Sequence, residues 1–145
     1  MKASELRIGN WVDIEGLQTQ VIAIDSVHSH KETIGSIGYW HEENGTRLWQ
    51  KSKWLDKFKP IPLTEEWLVK FGFEYSDLNG DSGLWKIPPF QIYGKYNQFI
   101  YEYALDVNYV HQLQNLYFAL TGEELNQNKD DNSIDNFNNN SIPSV

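Results

Sequence analysis

Arg47, Lys51, Lys53, Lys57 and Lys59 place five of the chain's 12 positive charges within 13 residues, interleaved with Trp49, Trp54 and Phe58 and opposed only by Asp56. Cations that neutralise phosphates, set beside rings that stack on bases, are how a nucleotide or single-stranded nucleic acid is held, each stacked base contributing about 1–3 kcal/mol. The same residue types also suit a half-buried sheet edge, with tryptophans packed inward and lysines that discourage edge pairing. A formal net charge of −8, from 20 acidic against 12 basic residues, weighs towards the second use, because the field of the whole chain repels polyanions. An anion site in this segment has to be local.

A second constellation sits near the end of the chain. On a helical wheel His111, Gln114, Asn115 and Phe118 fall within about 100° of one another. A large aromatic ring among amide and imidazole groups could recognise a partner or a planar ligand, the ring supplying contact area and the amides orientation. The competing use is a helix buried on two sides, with Phe118 filling a secondary contact against the N-terminal half.

Other chemistries find less support. His28, His30 and His41 with Glu42 and Glu43 are residue types that suit zinc or another divalent ion. Their spacing is that of surface-loop histidines, and no His-Glu-x-x-His pattern exists, so no metal site is assigned. Asp77 to Gly83 has a calcium-loop flavour, yet its glycine is displaced by one from the sixth position and Pro88 stands where a bidentate Glu is needed. A tight turn explains that segment better. The chain has no cysteine, which removes disulfides, thiolate metal sites and cysteine nucleophiles together. Walker, dinucleotide-glycine and Gly-x-Ser-x-Gly patterns are missing too, so no catalytic residue or cofactor is named.

The elements that must carry these groups follow from periodicity and turn chemistry. Ile8 to Ile14, Gln18 to Val27 and Thr33 to Trp40 read as strands, with turns at Glu15-Gly16 and Asn44-Gly45. Trp11, Ile14, Val21, Ile22 and Ile24 are the expected core of a small barrel-like sheet. Lys59-Pro60-Ile61-Pro62 forces an extended exit. A two-turn helix follows, with Thr64 as N-cap, Glu65 and Glu66 at the dipole's positive end, Leu63 and Leu68 as a hydrophobic staple and Gly72 as a left-handed stop. Trp67, Leu68 and Phe71 are its core face, and Glu66 with Lys70 forms an i,i+4 pair.

Further strands are expected at Phe73 to Tyr75, Leu84 to Ile87, Gln91 to Tyr93 and Gln98 to Tyr103. Loops are expected at Asp77 to Gly83 and at Gly94-Lys95, with Pro88-Pro89 marking an edge or corner. The last helix is amphipathic, with Tyr109, Val110, Leu113, Leu116, Tyr117 and Leu120 on one arc. It is read as capped by Asp106, stapled by Leu105 on Val110 and stopped at Gly122. The fold class is therefore α+β with a largely antiparallel sheet. Residues 1–63 form a β-rich half and 64–125 a helix, strands and helix half. Residues 126–145, rich in Asn, Asp and Ser, form a tail expected to be disordered.

Three segments carry a resemblance: Ser4-Glu-Leu-Arg-Ile-Gly-Asn-Trp-Val12, Pro60-Ile-Pro-Leu-Thr-Glu-Glu-Trp-Leu-Val-Lys-Phe-Gly-Phe73 and Tyr109-Val-His-Gln-Leu-Gln-Asn-Leu-Tyr-Phe-Ala-Leu-Thr-Gly-Glu-Glu-Leu125. Together they resemble a family of small proteins of Bacteroidota, their prophages and their phages that carries no known activity. The resemblance implies an accessory role in a phage or mobile element and favours a strand over Trp54 to Lys59. It brings no reaction, cofactor or catalytic residue. The longest aliphatic run, Val21 to Ile24, is far short of the roughly 20 apolar residues a membrane span needs, and Met1 to Asn10 lacks the apolar region of a signal peptide. The expectation is a cytoplasmic, non-enzymatic binding protein of a bacterial host cell, engaging a host protein through His111, Gln114, Asn115 and Phe118. The alternative ligand is a nucleotide or single-stranded nucleic acid at residues 47–59.

Overall fold

The computed structural model describes residues 5–28, 33–43, 46–52, 57–78, 80, 82–102 and 105–128, with the backbone alone at 25–28, 33–36, 42–43 and 46–52. Twelve elements follow one another in these residues: β1 (Trp11–Ile14), β2 (Leu17–His28), β3 (Thr33–Glu43), β4 (Thr46–Ser52), β5 (Phe58–Lys59), α1 (Glu65–Lys70), β6 (Glu74–Leu78), β7 (Ser82–Ile87), β8 (Phe90–Lys95), β9 (Gln98–Tyr101), β10 (Leu105–Asp106) and α2 (Val110–Thr121). The chain is a β-rich α+β fold of two antiparallel five-stranded sheets, ordered β4-β3-β2-β1-β5 and β10-β9-β8-β7-β6. Among the described residues nothing pairs β4 with β5, so the first sheet is open and the barrel expected from the sequence is not closed.

The first hairpin turns at Glu15 and Gly16, both at positive φ, and the Asp13 carboxylate accepts the Gly16 N–H at 2.9 Å. Two left-handed residues match the twist of the flanking strands, which is why Glu-Gly closes the turn in two residues. Ile8 is not in the strand. The chain turns at Ile8-Gly9, Ile8 is exposed, and β1 starts only at Trp11. Val12, Ile14, Val21, Ile37, Tyr39 and Phe58 build the N-terminal core with Leu6. Ile24, expected in that core, is 40% exposed. A register shift between Val21 and Ala23 inserts one unpaired residue, and such a bulge resets the alternation of faces that follows it. Trp11 likewise leaves the N-terminal core and packs on Trp67 at 5.5 Å between ring centroids.

α1 forms as its local signals dictate. Thr64 caps it by accepting the Trp67 N–H, Lys70 meets Glu66 at 2.8 Å, Gly72 takes the left-handed conformation, and Trp67, Leu68 and Phe71 are buried. They join Phe73, Trp85, Phe90, Ile92, Phe99, Val110, Leu113 and Tyr117 in the C-terminal core. The second sheet departs from expectation at two turns, the first being the loop expected over Asp77 to Gly83, where β6 and β7 continue and pair Asp77 with Gly83 and Leu78 with Ser82. The chain reverses at Tyr96-Asn97, both at positive φ, rather than at Gly94-Lys95. Gly94 lies within β8 for another reason: a Cβ there would collide with the Gln98 carbonyl oxygen across the hairpin. Asn97 tolerates the left-handed region, and its side-chain oxygen accepts the Glu65 N–H while Glu65 accepts the Tyr96 N–H, tying the turn to α1.

α2 begins at Val110, not near Asp106 as expected, because Leu105 and Asp106 are consumed as β10 against Tyr101 and Ile100. The start is fixed instead by Gln112, whose side-chain oxygen accepts the N–H groups of Asn108 and Tyr109, and by the Pro62↔Tyr109 bridge. Gly122, at φ 76°, ends it. The amphipathic arc is only partly realised: Val110, Leu113 and Tyr117 are buried, Leu120 is exposed, and the polar residues His111 and Gln114 are buried as well. The tail's first residues also stay on the fold. Leu125 is buried and the Asn128 N–H donates to the Lys70 carbonyl at 2.8 Å, while residues 129–145 lie outside those described.

The buried Gln114 amide joins α2 to the start of β1 and to the segment after the helix. Its oxygen accepts the Trp11 N–H at 2.9 Å, and its nitrogen donates to the carbonyls of Gly9 and Leu125 at 3.0 and 3.3 Å. Removing it takes the partner from the Trp11 N–H and the Leu125 carbonyl, whereas the Gly9 carbonyl keeps the Gln20 amide at 3.2 Å; each buried group left unpaired costs about 1–3 kcal/mol. Gln114→Ala is expected to lower unfolding free energy by roughly 3 kcal/mol, and Gln114→Glu by at least as much because an acceptor would face two carbonyls. Urea denaturation of both variants checks this.

Candidate functional site

The residues singled out on α2 divide into two groups. Gln114, Asn115 and Phe118 meet the N-terminal segment. The Asn115 amide donates to the Glu5 carbonyl at 2.8 Å and accepts from the Asn10 amide at 3.0 Å, and Asn10 in turn accepts the Arg7 N–H at 2.7 Å. The Arg7 guanidinium lies 3.6 Å from the centre of the Phe118 ring and bonds Glu124 at 2.6 Å. The Gln114 amide is thus committed inside the fold, Asn115 is tied to the N-terminal segment through one donor and its oxygen, and the Phe118 ring carries a cation.

His111 is different. It is 2% exposed, stacks on Tyr109, and its Nδ1 is buried without a hydrogen-bond partner. Burial pushes the imidazole pKa below its usual 6.5, opposed in part by the Glu5 charge, which raises it, and reinforced by the N-terminal ammonium, which lowers it. His111 and Asn115 line a groove of about 410 Å³ with Glu5, Leu105, Asp106 and Leu116. Sequence periodicity had brought His111 to the same arc as Gln114 and Phe118; only its neighbours separate it from them.

The basic aromatic segment is divided by topology. Arg47, Trp49 and Lys51 lie on β4, one edge of the first sheet, whereas Lys59 lies on β5 at the other edge and Lys57 just before it. Lys53 and Trp54 lie outside the described residues, so the strand expected over Trp54 to Lys59 is seen only as Phe58–Lys59. Lys57 is held by Glu15 at 2.8 Å, a contact that raises its pKa first through the hydrogen bond and then through the opposite charge, and Lys59 is exposed.

What the segment loses in contiguity, the sheet register partly restores. Trp11 stands opposite Gln20, Val21 opposite Tyr39, and Trp40 opposite Trp49. Gln20 is therefore beside Trp40, and one row crosses four strands as Trp11, Gln20, Trp40 and Trp49. Arg47 and Lys51 flank Trp49 by two residues on either side along β4. Val12, Ile14, Val21 and Tyr39 are buried on the opposite face. Trp11, Gln18, Gln20, Trp40 and His41 line an open depression of about 350 Å³ on the row. Neither Trp11 nor Trp40 belongs to the 47–59 segment. The signal that could have found them was the strand alternation that sets each opposite the next.

A third depression, about 400 Å³, lies between α1 and the β8–β9 turn, lined by Val69, Phe73, Tyr75, Trp85, Lys95 and Tyr96. Of the histidines weighed as metal ligands, His41 lines the Trp40 depression, the side chain of His28 is not described, and His30 lies outside the described residues. Among the described residues no three His, Asp or Glu side chains gather as ion ligands, and no helix is long and apolar enough to cross a membrane.

Because the folded-state pKa of His111 is lowered, the unfolded chain binds its proton more readily below pH 6.5. Stability is then fully present above 6.5 and falls as pH drops from there through the lowered folded value. Melting temperature is expected to fall on acidification from pH 7.5 to 5, and His111→Gln should flatten that dependence; an NMR titration of the imidazole reads the same shift directly. No protein-family model, no curated protein and no solved structure matches this chain.

Proposed function

We propose that this chain is a non-enzymatic binding protein, an accessory factor of a phage or mobile element that engages a macromolecule of its bacterial host. The ligand favoured by the geometry is a single-stranded nucleic acid or nucleotide laid on the open face of the first sheet. The observation that carries this reading is the row Trp11, Gln20 and Trp40 across β1, β2 and β3, which the backbone register continues to position 49 of β4, a strand whose sequence also holds Arg47 and Lys51. Rings spaced across neighbouring strands offer successive stacking platforms, an amide between them can read a base edge, and the flanking cations follow the phosphates. With a net charge of −8 the attraction is local, so binding is short-ranged and strongly salt-dependent. The accessory role is supported by the resemblance of residues 4–12, 60–73 and 109–125 to the Bacteroidota and phage family.

A host protein is the second reading. The groove beside His111 favours it, since Leu105 at its rim is 50% exposed and Asn115 is fixed in its wall.

Titration of the tryptophan fluorescence with a thymidine oligonucleotide tests the first reading. Saturable quenching is expected at low salt, with log K falling linearly against log salt. Trp40→Ala should weaken binding by roughly five- to hundredfold, the worth of one stacked base, with its fold verified by circular dichroism. Arg47→Ala with Lys51→Ala should reduce the salt slope. Failure of oligonucleotides and of mononucleotides to bind in low salt removes the nucleic-acid reading.

A further inference from the structure

An edge strand carries main-chain N–H and C=O groups that no neighbour in its sheet accepts, and folds usually blunt such edges with short strands, lysines, prolines or bulges. Three of the four edges here are blunted in this way: β5 and β10 are two residues long, and β4 holds Arg47 and Lys51 in its sequence. The fourth, β6, is not. It is five residues long, contains no proline, lysine or arginine, and pairs with β7 in unbroken register from Glu74↔Lys86 to Leu78↔Ser82. Its residues Glu74 to Asp77 are all exposed, and among the described residues no backbone–backbone hydrogen bond joins it to anything but β7.

The side chains of β6 leave that edge bare. Tyr75 and Asp77 share one face of the strand. Tyr75 folds inward across β7, packing on Trp85 at 4.8 Å between ring centroids and filling the space over Gly83, where a Cβ would collide with it. Asp77 also turns away from the edge, accepting the Gly80 N–H at 3.2 Å and meeting Lys95 of β8 at 3.7 Å. Tyr75 shares a depression of about 400 Å³ with Val69 of α1, and the two are 42% and 61% exposed. Apolar surface therefore lies beside the unpaired backbone on the side of α1. On the opposite face Glu74 is exposed, and no ion pair joins it to Lys86 across the ladder.

These features fix the chemistry of an occupant. The alternating donors and acceptors of an open strand edge are matched group for group by another extended backbone. A helix keeps its own backbone bonds internal, and a phosphate chain offers acceptors alone. The flanks choose the side chains: an apolar residue towards Tyr75 and Val69, and a lysine or arginine beside Glu74, because opposite charges on neighbouring strands attract and like charges repel. A second copy of this chain fails that condition, since two β6 strands would bring together Glu74 and Asp77 twice over, with no cation of their own, in chains of net charge −8.

We propose that β6 accepts an extended segment of a protein partner as an added strand of the second sheet, with apolar residues of that segment towards α1 and basic residues on the opposite face. The proposal goes beyond both readings above, since it uses neither the tryptophan row nor the groove beside His111.

The test is amide hydrogen exchange of the full chain, read by NMR at low salt with a capped Lys-Val-Lys-Val-Lys peptide. Successive residues of a strand direct their N–H groups to opposite edges, so new protection is expected at every second residue of β6. Glu74→Gln, a change at an exposed site, should weaken the peptide by roughly two- to fivefold. The fully N-methylated peptide keeps the side chains and charge but cannot enter a ladder, and it should protect nothing; equal protection by both would overturn the strand pairing. Protection spread evenly over the whole second sheet would also overturn it, as general stabilisation by a cation. Equal binding of a Glu-Val-Glu-Val-Glu peptide would overturn the basic character of the partner. Protection of β6 that rises with protein concentration and no peptide would overturn the proposal in favour of a second copy. No protection at millimolar peptide would overturn it outright and leave the oligonucleotide titration untouched.

Discussion

One buried amide governs how the halves of this chain meet. Gln114 projects from α2 with all three hydrogen bonds committed, to the entry of β1 and to the segment after the helix. A neutral hydrogen bond contributes only about 1 kcal/mol net, but a buried group left unpaired costs more than that, so the geometry is enforced chiefly by what its loss would orphan. β1 cannot slide along α2 without stranding the amide, and the chain after Gly122 cannot peel away without exposing Leu125. Asn10, Asn115, Arg7 and Phe118 extend the same seam outward, passing from buried amides to a cation over a ring at the surface.

The seam has consequences for both candidate surfaces. By holding the Trp11 backbone it lets the indole lean onto Trp67, leaving the C-terminal core and one end of the cross-sheet row sharing a single residue. On the other side it withdraws Gln114 from solvent, covers the Phe118 ring with the Arg7 guanidinium and leaves His111 in the lining of a groove. The two surfaces carry opposite chemistry. The row ends on the edge strand β4, whose sequence holds Arg47 and Lys51, while the lining of the groove includes Glu5 and Asp106. Lys57, Lys70 and Lys95 are already paired with Glu15, Glu66 and Asp77.

Local signals were legible wherever the physics is local. α1 could be read residue by residue, since a cap, a staple, an i,i+4 pair and a left-handed stop all act within a few residues of one another. The Glu15-Gly16 hairpin and the stop at Gly122 were legible for the same reason. Errors arose where a residue's fate depends on a distant partner. Asp106 is a good cap by type, but β9 claims it as a strand residue. Gly94 looked like a turn glycine, but it is there because Gln98 approaches too closely for a side chain. Ile24 lost its place in the core to a bulge that no alternation pattern announces.

By itself the sequence determined the α+β class, the order of most elements, the α1 face and the residue types available for binding, because propensity, capping and turn chemistry are short-ranged. Only the tertiary structure decided which of those residues share a surface. It sent Lys57 and Lys59 to the sheet edge opposite Arg47 and Lys51, aligned Trp11 and Trp40 in one row, and turned a polar helix face into an internal seam. Strand order, register and helix docking are set by contacts between residues far apart in the chain, and two residues adjacent in sequence feel those contacts only through the fold as a whole.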